Sequence, residues 1–150
     1  MTIRIVIDTN IWVSSLLNPH GFPAKLRKSF EEGIFTVVIS DTMLEELAEV
    51  LNRPRIKNKY GISEKDIKEL LILIEERSEH VLITGNINIC RDKDDNAVIE
   101  TAIKGQALFL VTRDDDIKSD KKVSSFLMEY KISVVSIAQF LNHINETKNP

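Results

Sequence analysis

The sequence is poor in the residues that would mark several common protein classes. It has one cysteine, Cys90, so no internal disulfide framework can form, and a reducing compartment is expected. No apolar run approaches the ~20 residues that span a bilayer. The longest, Leu70 to Ile74 and Ala107 to Val111, have the length of core elements. Met1 leads almost directly into the alternating segment Ile3, Ile5, Ile7, without a secretory leader, so a cytoplasmic location is expected. With only 5 glycines, the chain carries neither a GxGxxG nor a GxxxxGK[ST] pattern, which disfavours nucleotide-binding enzymes. The three histidines, His20, His80 and His143, are scattered without ligand spacing, and structural or exposed roles are expected for them. A net charge of −3 argues mildly against a passive nucleic-acid binder, which is usually basic.

Length and patterning fit one domain, expected over residues 1–145 with a frayed tail at 146–150. Five short apolar runs read as strands: Ile3 to Ile7, Phe35 to Ile39, His80 to Ile83, Leu108 to Thr112 and Ile132 to Val135. Helical spacing lies between them. Leu44, Leu47, Ala48 and Leu51 recur at i, i+3, i+4 and i+7, as do Ile67, Leu70, Leu71 and Ile74. Ser63 with Asp66 resembles a capping box. Asp95 to Lys104 reads as a helix closed by Gly105, and Ser136 as the cap of a last one. Strands alternating with helices predict an α/β domain, a mostly parallel sheet with helices on both faces. The pattern leaves strand order open.

Ligands of open α/β sheets bind at the carboxyl ends of the strands, where strand order reverses. Asp8 directly follows the first strand. An isolated Asp there reads as a helix cap, with Thr9 and Asn10 as turn formers. The fourth strand ends in Asp114-Asp115-Asp116, and two unit charges ~4 Å apart cost ~4 kcal/mol at an effective dielectric near 20. Asp115 reads as surface loop, whereas Asp114 and Asp116, two apart, can share one focus. Asp92 and Asp94 are explained by the dipole of the helix they precede. Asp95 differs, because it lies three, four and seven residues before Val98, Ile99 and Ala102, on the apolar face. An inward carboxylate needs a cap or a cation as partner. Glu46 sits on the border of its helix's apolar arc, while Glu45 and Glu49 read as solvated. Alone, Glu46 is ordinary helix surface; together with Asp8, Asp95 and Asp114 it makes four acids from four segments able to meet at one sheet edge. Hard oxygen donors favour Mg²⁺ or Mn²⁺ over zinc.

Four stretches in order carry a resemblance covering nearly the whole chain: Val6-Ile7-Asp8-Thr9-Asn10 with Val13 to Leu17; Ile39-Ser40 with Glu46-Leu47 and Val50-Leu51; Asp92 to Asn96 with Ala102; and Leu110 to Asp116. Together they resemble the PIN-domain ribonucleases, and within them the toxin components of toxin–antitoxin systems. The resemblance implies a three-layer α/β/α Rossmann-like fold with a five-stranded parallel sheet in order 3-2-1-4-5. It also implies an acidic pocket for Mg²⁺ or Mn²⁺ and hydrolysis of RNA. Asp8, Glu46, Asp95 and Asp114 would form the acid quartet, with Asp116 an auxiliary fifth, and Thr9, Asn10 and Thr112 would orient ligands. Three positions depart from the family pattern: Lys93 stands where proline is common, Arg113 where glycine is common, and Trp12 where a smaller aliphatic is common.

Arg53, Arg55, Lys57 and Lys59, around Pro54 and Tyr60, form a basic stretch that would either track RNA phosphates, with Tyr60 for stacking, or be a solvated loop. Trp12 reads as core or interface. The thick apolar stretch Leu70 to Ile74 hints at a homodimer face. The expected partners are therefore an RNA substrate, a cognate antitoxin and a second copy, with no membrane. The competing readings are RNA processing outside a toxin system and a non-catalytic nucleic-acid or protein-binding module. A phosphatase built on an Asp nucleophile is disfavoured, since that design resembles Asp-x-Asp and here the second position is Asn10.

Overall fold

The computed structural model describes residues 2–113, 117 and 119–148, with side chains to residue 146. Five parallel strands, β1 (Ile3–Ile7), β2 (Phe35–Ser40), β3 (Glu79–Val81), β4 (Phe109–Val111) and β5 (Ser133–Val135), form one sheet in the order β3-β2-β1-β4-β5. The order expected from the resemblance is the one observed. Three of the four connections lead to an adjacent parallel strand, and the one from β3 to β4 passes over β2 and β1 to the other half of the sheet. Parallel strands need such crossovers, which the helices supply. Ile5 pairs with Val37 on one side and Phe109 on the other, so β1 is central and fully enclosed. Its buried Ile5, Val6 and Ile7 explain why that run is apolar rather than strictly alternating.

Eight helices are described: α1 (Thr9–Leu17), α2 (Phe22–Glu31), α3 (Asp41–Leu51), α4 (Pro54–Tyr60), α5 (Glu64–Arg77), α6 (Lys93–Lys104), α7 (Lys121–Glu129) and α8 (Ile137–Lys148). The expected caps are present. Ser63 Oγ accepts from the Asp66 amide at 3.0 Å, and Ser136 Oγ from the Gln139 amide at 3.1 Å. The last helix reaches Lys148, so residues 146–148 of the expected tail are helical, and residues 149 and 150 lie outside the described residues. Three helices were not expected. α2 and α7 each bury only one apolar pair at i, i+4, Leu26 with Phe30 and Val123 with Leu127, a stripe too thin to read as periodic. α4 starts on Pro54 and ends on Gly61 at φ 61°, and its basic side chains hide the pattern.

α3 packs on α5 and α6, while α2 packs on α1, β2 and α8. On the α2 side the core is a chain of rings. Trp12 meets Phe30 edge-on at 5.3 Å, Phe30 stacks on Phe35, and Phe35 and Phe109 both meet Phe140. Trp12 is thus a core residue, and His143 packs against Phe109. In the Leu70–Ile74 stretch, Leu70 and Ile74 enter the core and Ile72 is 46% exposed.

Gly105 ends α6 where that helix presses on the sheet. A Cβ there would stand 2.2 Å from Cγ1 of the fully buried Val38. Gly105→Ala is therefore expected to cost ~1–3 kcal/mol through overpacking, read as a lower urea midpoint. An unchanged midpoint would mean that this contact is slack.

Candidate active site

Asp8 stands one residue beyond β1, at the point where the sheet order reverses between β1 and β4. Its amide donates to Val111 O at 3.0 Å, continuing the ladder. Asp8 occupies the cap position of α1, yet its side chain makes no capping hydrogen bond. The carboxylate instead accepts a 2.7 Å hydrogen bond from Thr112 Oγ1, just past the end of β4. Asp8 is 5% exposed and Thr112 fully buried. The simple capping reading of Asp8 does not hold: a buried carboxylate is anchored across the sheet by a hydroxyl. Thr112→Val, which keeps the shape and removes the donor, should cost ~1.5–3 kcal/mol, the range for hydrogen bonds to charged groups. Thr112→Ser should keep most of that stability, and equal losses in the two variants would assign the effect to packing.

Glu46 reaches the same place from the next segment. Ser40 caps α3 by accepting from the Met43 amide, and its Oγ also hydrogen-bonds Thr101 Oγ1 at 2.8 Å, which ties α3 to α6. One and a half turns on, Glu46 is half-buried and lies against α1, where Thr9 Oγ1 donates to its Oε2 at a long 3.5 Å. Its carboxyl is pushed up from 4.5 to about 7 by burial first, and then by the negative charges of Asp94, Asp8, Asp92 and Asp95. Acids from the first and third segments therefore both bear on the second.

The third segment is held by side chains that face inward from α6. Asp92 caps the helix, Oδ1 accepting from the Asp94 amide at 2.9 Å. Asp95 is partly buried. Asn96 Oδ1 accepts from the amides of Ile89 and Cys90 at 2.9 and 2.7 Å, while its Nδ2 donates to Cys90 O. One turn later the buried Glu100 accepts from the amides of Thr84 and Gly85 and from Thr84 Oγ1. Burial pushes the Glu100 carboxyl up, but these three hydrogen bonds together with the charge of Lys104 outweigh it and hold it below the usual range. The two residues thereby fasten both ends of the connection that precedes Asp92 and Asp95. Neither is singled out by sequence reasoning, and their signal was a polar i, i+4 pair on the apolar side of a helix. Asp92 and Asp94, expected to serve only the helix dipole, also charge the surroundings of Glu46.

Asp114, Asp115 and Asp116 lie outside the described residues. Among the described residues, no three His, Cys, Asp or Glu side chains come together closely enough to hold a metal ion. Asn10 is exposed in the first turn of α1. In the basic stretch, Arg53 pairs with Glu49 and Lys57 with Glu64, while Lys59 Nζ lies 5.3 Å from the Tyr60 ring centroid. Arg53 lies in extended backbone between α3 and α4, seven residues beyond Glu46.

The family model of the PIN domain matches residues 4–116, from β1 through the acidic run after β4. The chain belongs to the PIN domain family. PIN domains are generally metal-dependent nucleases. The uncharacterized protein MJ1680 of Methanocaldococcus jannaschii is 35% identical over 126 residues, which cover 83% of this chain and 79% of that one. Among solved structures, FitAcB from Neisseria gonorrhoeae superposes with a TM-score of 0.52 at 18% identity, covering 89% of this chain and 97% of the other. FitAB bound to an IR36 DNA fragment gives 0.53 at 16%, with coverage of 89% and 94%. At these identities the two FitAB likenesses support the fold. No described helix is long and apolar enough to cross a membrane.

Proposed function

We propose that this PIN domain is a Mg²⁺- or Mn²⁺-dependent endoribonuclease, the toxin component of a toxin–antitoxin pair, acting in the cytoplasm. The observation that carries this reading is Asp8: a carboxylate at a helix-cap position that caps nothing, buried and turned toward the switch point of the sheet. The donor set fits a hard divalent ion. It is all oxygen, and the mutual repulsion felt at Glu46 is what such an ion relieves. Asp8, Glu46, Asp95 and Asp114 would hold it, with Asp116 as an auxiliary ligand. When bound, a divalent cation supplies Lewis acidity toward water and toward the phosphate oxygens.

The chain's own groups would do the rest. Thr112 fixes the Asp8 carboxylate, Thr9 steers Glu46, and Asn10 presents an amide at the mouth of the site. A water oxygen attacks phosphorus, its proton passes to a carboxylate of the cluster, Glu46 or Asp114, and the bond to the leaving oxygen breaks. No protein nucleophile is needed. The basic stretch Arg53, Arg55, Lys57 and Lys59 would follow the substrate backbone beyond Glu46. A cognate antitoxin is supported by the likeness to the FitAB structures, and a homodimer by the apolar α5 residue left at the surface, Ile72.

The test is incubation of the purified protein with assorted RNAs, in Mn²⁺ or in chelator. Cleavage that requires the metal supports the assignment. RNA left intact in every condition with Mn²⁺ would contradict it.

A further inference from the structure

Beside the acid cluster lies a cleft of about 460 Å³ that the proposed chemistry leaves unused. Its walls include Leu17 and Ser14 of α1, Phe22 and Pro23 at the start of α2, Ile137 at the start of α8, and Arg113. Two of these side chains are unusual for a mere surface crevice. Phe22 is 53% exposed, although its ring would gain free energy by burial, and Lys25 Nζ stands 5.4 Å from its centroid. Arg113 is exposed too, with Nη1 donating to Ser14 Oγ at 3.0 Å. That bond aims the guanidinium and uses one of its five donors. Among the described residues no carboxylate is paired with Arg113.

Position ties the cleft to the acids. Arg113 follows Thr112, the residue whose hydroxyl anchors Asp8, and adjacent Cα atoms are ~3.8 Å apart. The cleft therefore offers an aromatic side chain, apolar walls and one cation, Arg113, with Lys25 beside the Phe22 ring, one chain position from the hydroxyl that anchors Asp8. A single-stranded polynucleotide matches all of these, with a flat apolar base and one negative phosphate in every residue. Arginine suits the phosphate, since its planar fork can hold two oxygens at once.

We propose that this cleft is a nucleotide subsite, in which Phe22 stacks on a base of single-stranded RNA and Arg113 holds a phosphate next to the one cleaved. The subsite rests on the endoribonuclease reading for its substrate, but its test does not depend on catalysis.

Binding of a fluorescein-labelled single-stranded RNA 12-mer, followed by anisotropy in chelator, would be compared across variants. Phe22→Ala and Arg113→Gln should each weaken binding about tenfold, the scale of one lost stacked base. Phe22→Tyr, which keeps an aromatic face, should bind within twofold of the parent, as should Lys104→Gln, which removes a charge from the opposite sheet edge. With Mn²⁺, the first two variants should raise KM and leave kcat nearly unchanged. Parent-like binding by both Phe22→Ala and Arg113→Gln would overturn the subsite, as would equal losses in Phe22→Tyr and Phe22→Ala. Loss of a protein partner in those variants with RNA binding intact would also overturn it, in favour of a peptide groove. RNA binding that depends on Phe22 and Arg113, in a protein that cuts no RNA, would keep the subsite and reject the nuclease reading. Cleavage at parental KM in both variants would do the reverse.

Discussion

Asp8→Asn is expected to reduce RNA cleavage at least ~100-fold, since loss even of a group that only supports a metal ligand costs ~10- to 100-fold. The substitution keeps size and an acceptor oxygen for Thr112 Oγ1, so the 2.7 Å anchor can survive. What goes is the charge. The variant should fold at least as well as the parent, because Asp8 also pushes up the Glu46 carboxyl, and removing that push lowers the repulsion inside the site. Lost activity together with unchanged or higher stability marks a functional carboxylate. Lost activity with a large loss of stability would instead make Asp8 a structural residue.

The second large effect is on stability. At ~100 times its dissociation constant, a ligand that binds only the folded state adds ~2.7 kcal/mol, which for a chain of this size raises the melting temperature by ~5–10 °C. Mn²⁺ should do this, and the effect should depend on pH in a defined direction. The Glu46 carboxyl sits at about 7 in the folded protein against 4.5 ordinarily, so between those values the folded state holds the extra proton. Without metal, stability should therefore fall as pH rises from about 4.5 through about 7. Each pKa unit is ~1.4 kcal/mol, but Glu46 is only half-buried, and solvent screening reduces the whole effect to ~1–2 kcal/mol. Metal competes with that proton, so the Mn²⁺-induced rise should be larger at pH 8 than at pH 6. A shift of equal size at both values would place the ion away from Glu46.

The placement of the candidate site's residues was legible in the sequence unevenly. Asp8 could be placed at the carboxyl end of β1 because an apolar run followed by Asp-Thr-Asn fixes both the strand and its end. Whether Asp8 caps α1 or faces the site could not be read locally. The deciding atom, Thr112 Oγ1, is 104 residues away, and only the β1–β4 pairing brings the two together. The strand order came from resemblance, since helix and strand periodicities carry no information on which strands are neighbours. Asn96 and Glu100 stayed hidden for a related reason. Their partners lie in the connection 84–90, and a polar pair on the apolar side of a helix does not by itself say which loop folds against it. The acidic run at Asp114 and Asp116 was legible as a motif, and its geometry falls outside the described residues.

The most direct test is a crystal soaked in Mn²⁺, with the ion located by its anomalous scattering. A peak within coordination distance of carboxylate oxygens from both Asp8 and Glu46 is the predicted result. An ion bound elsewhere on the surface, with the space between those two side chains empty at saturating Mn²⁺, would contradict it.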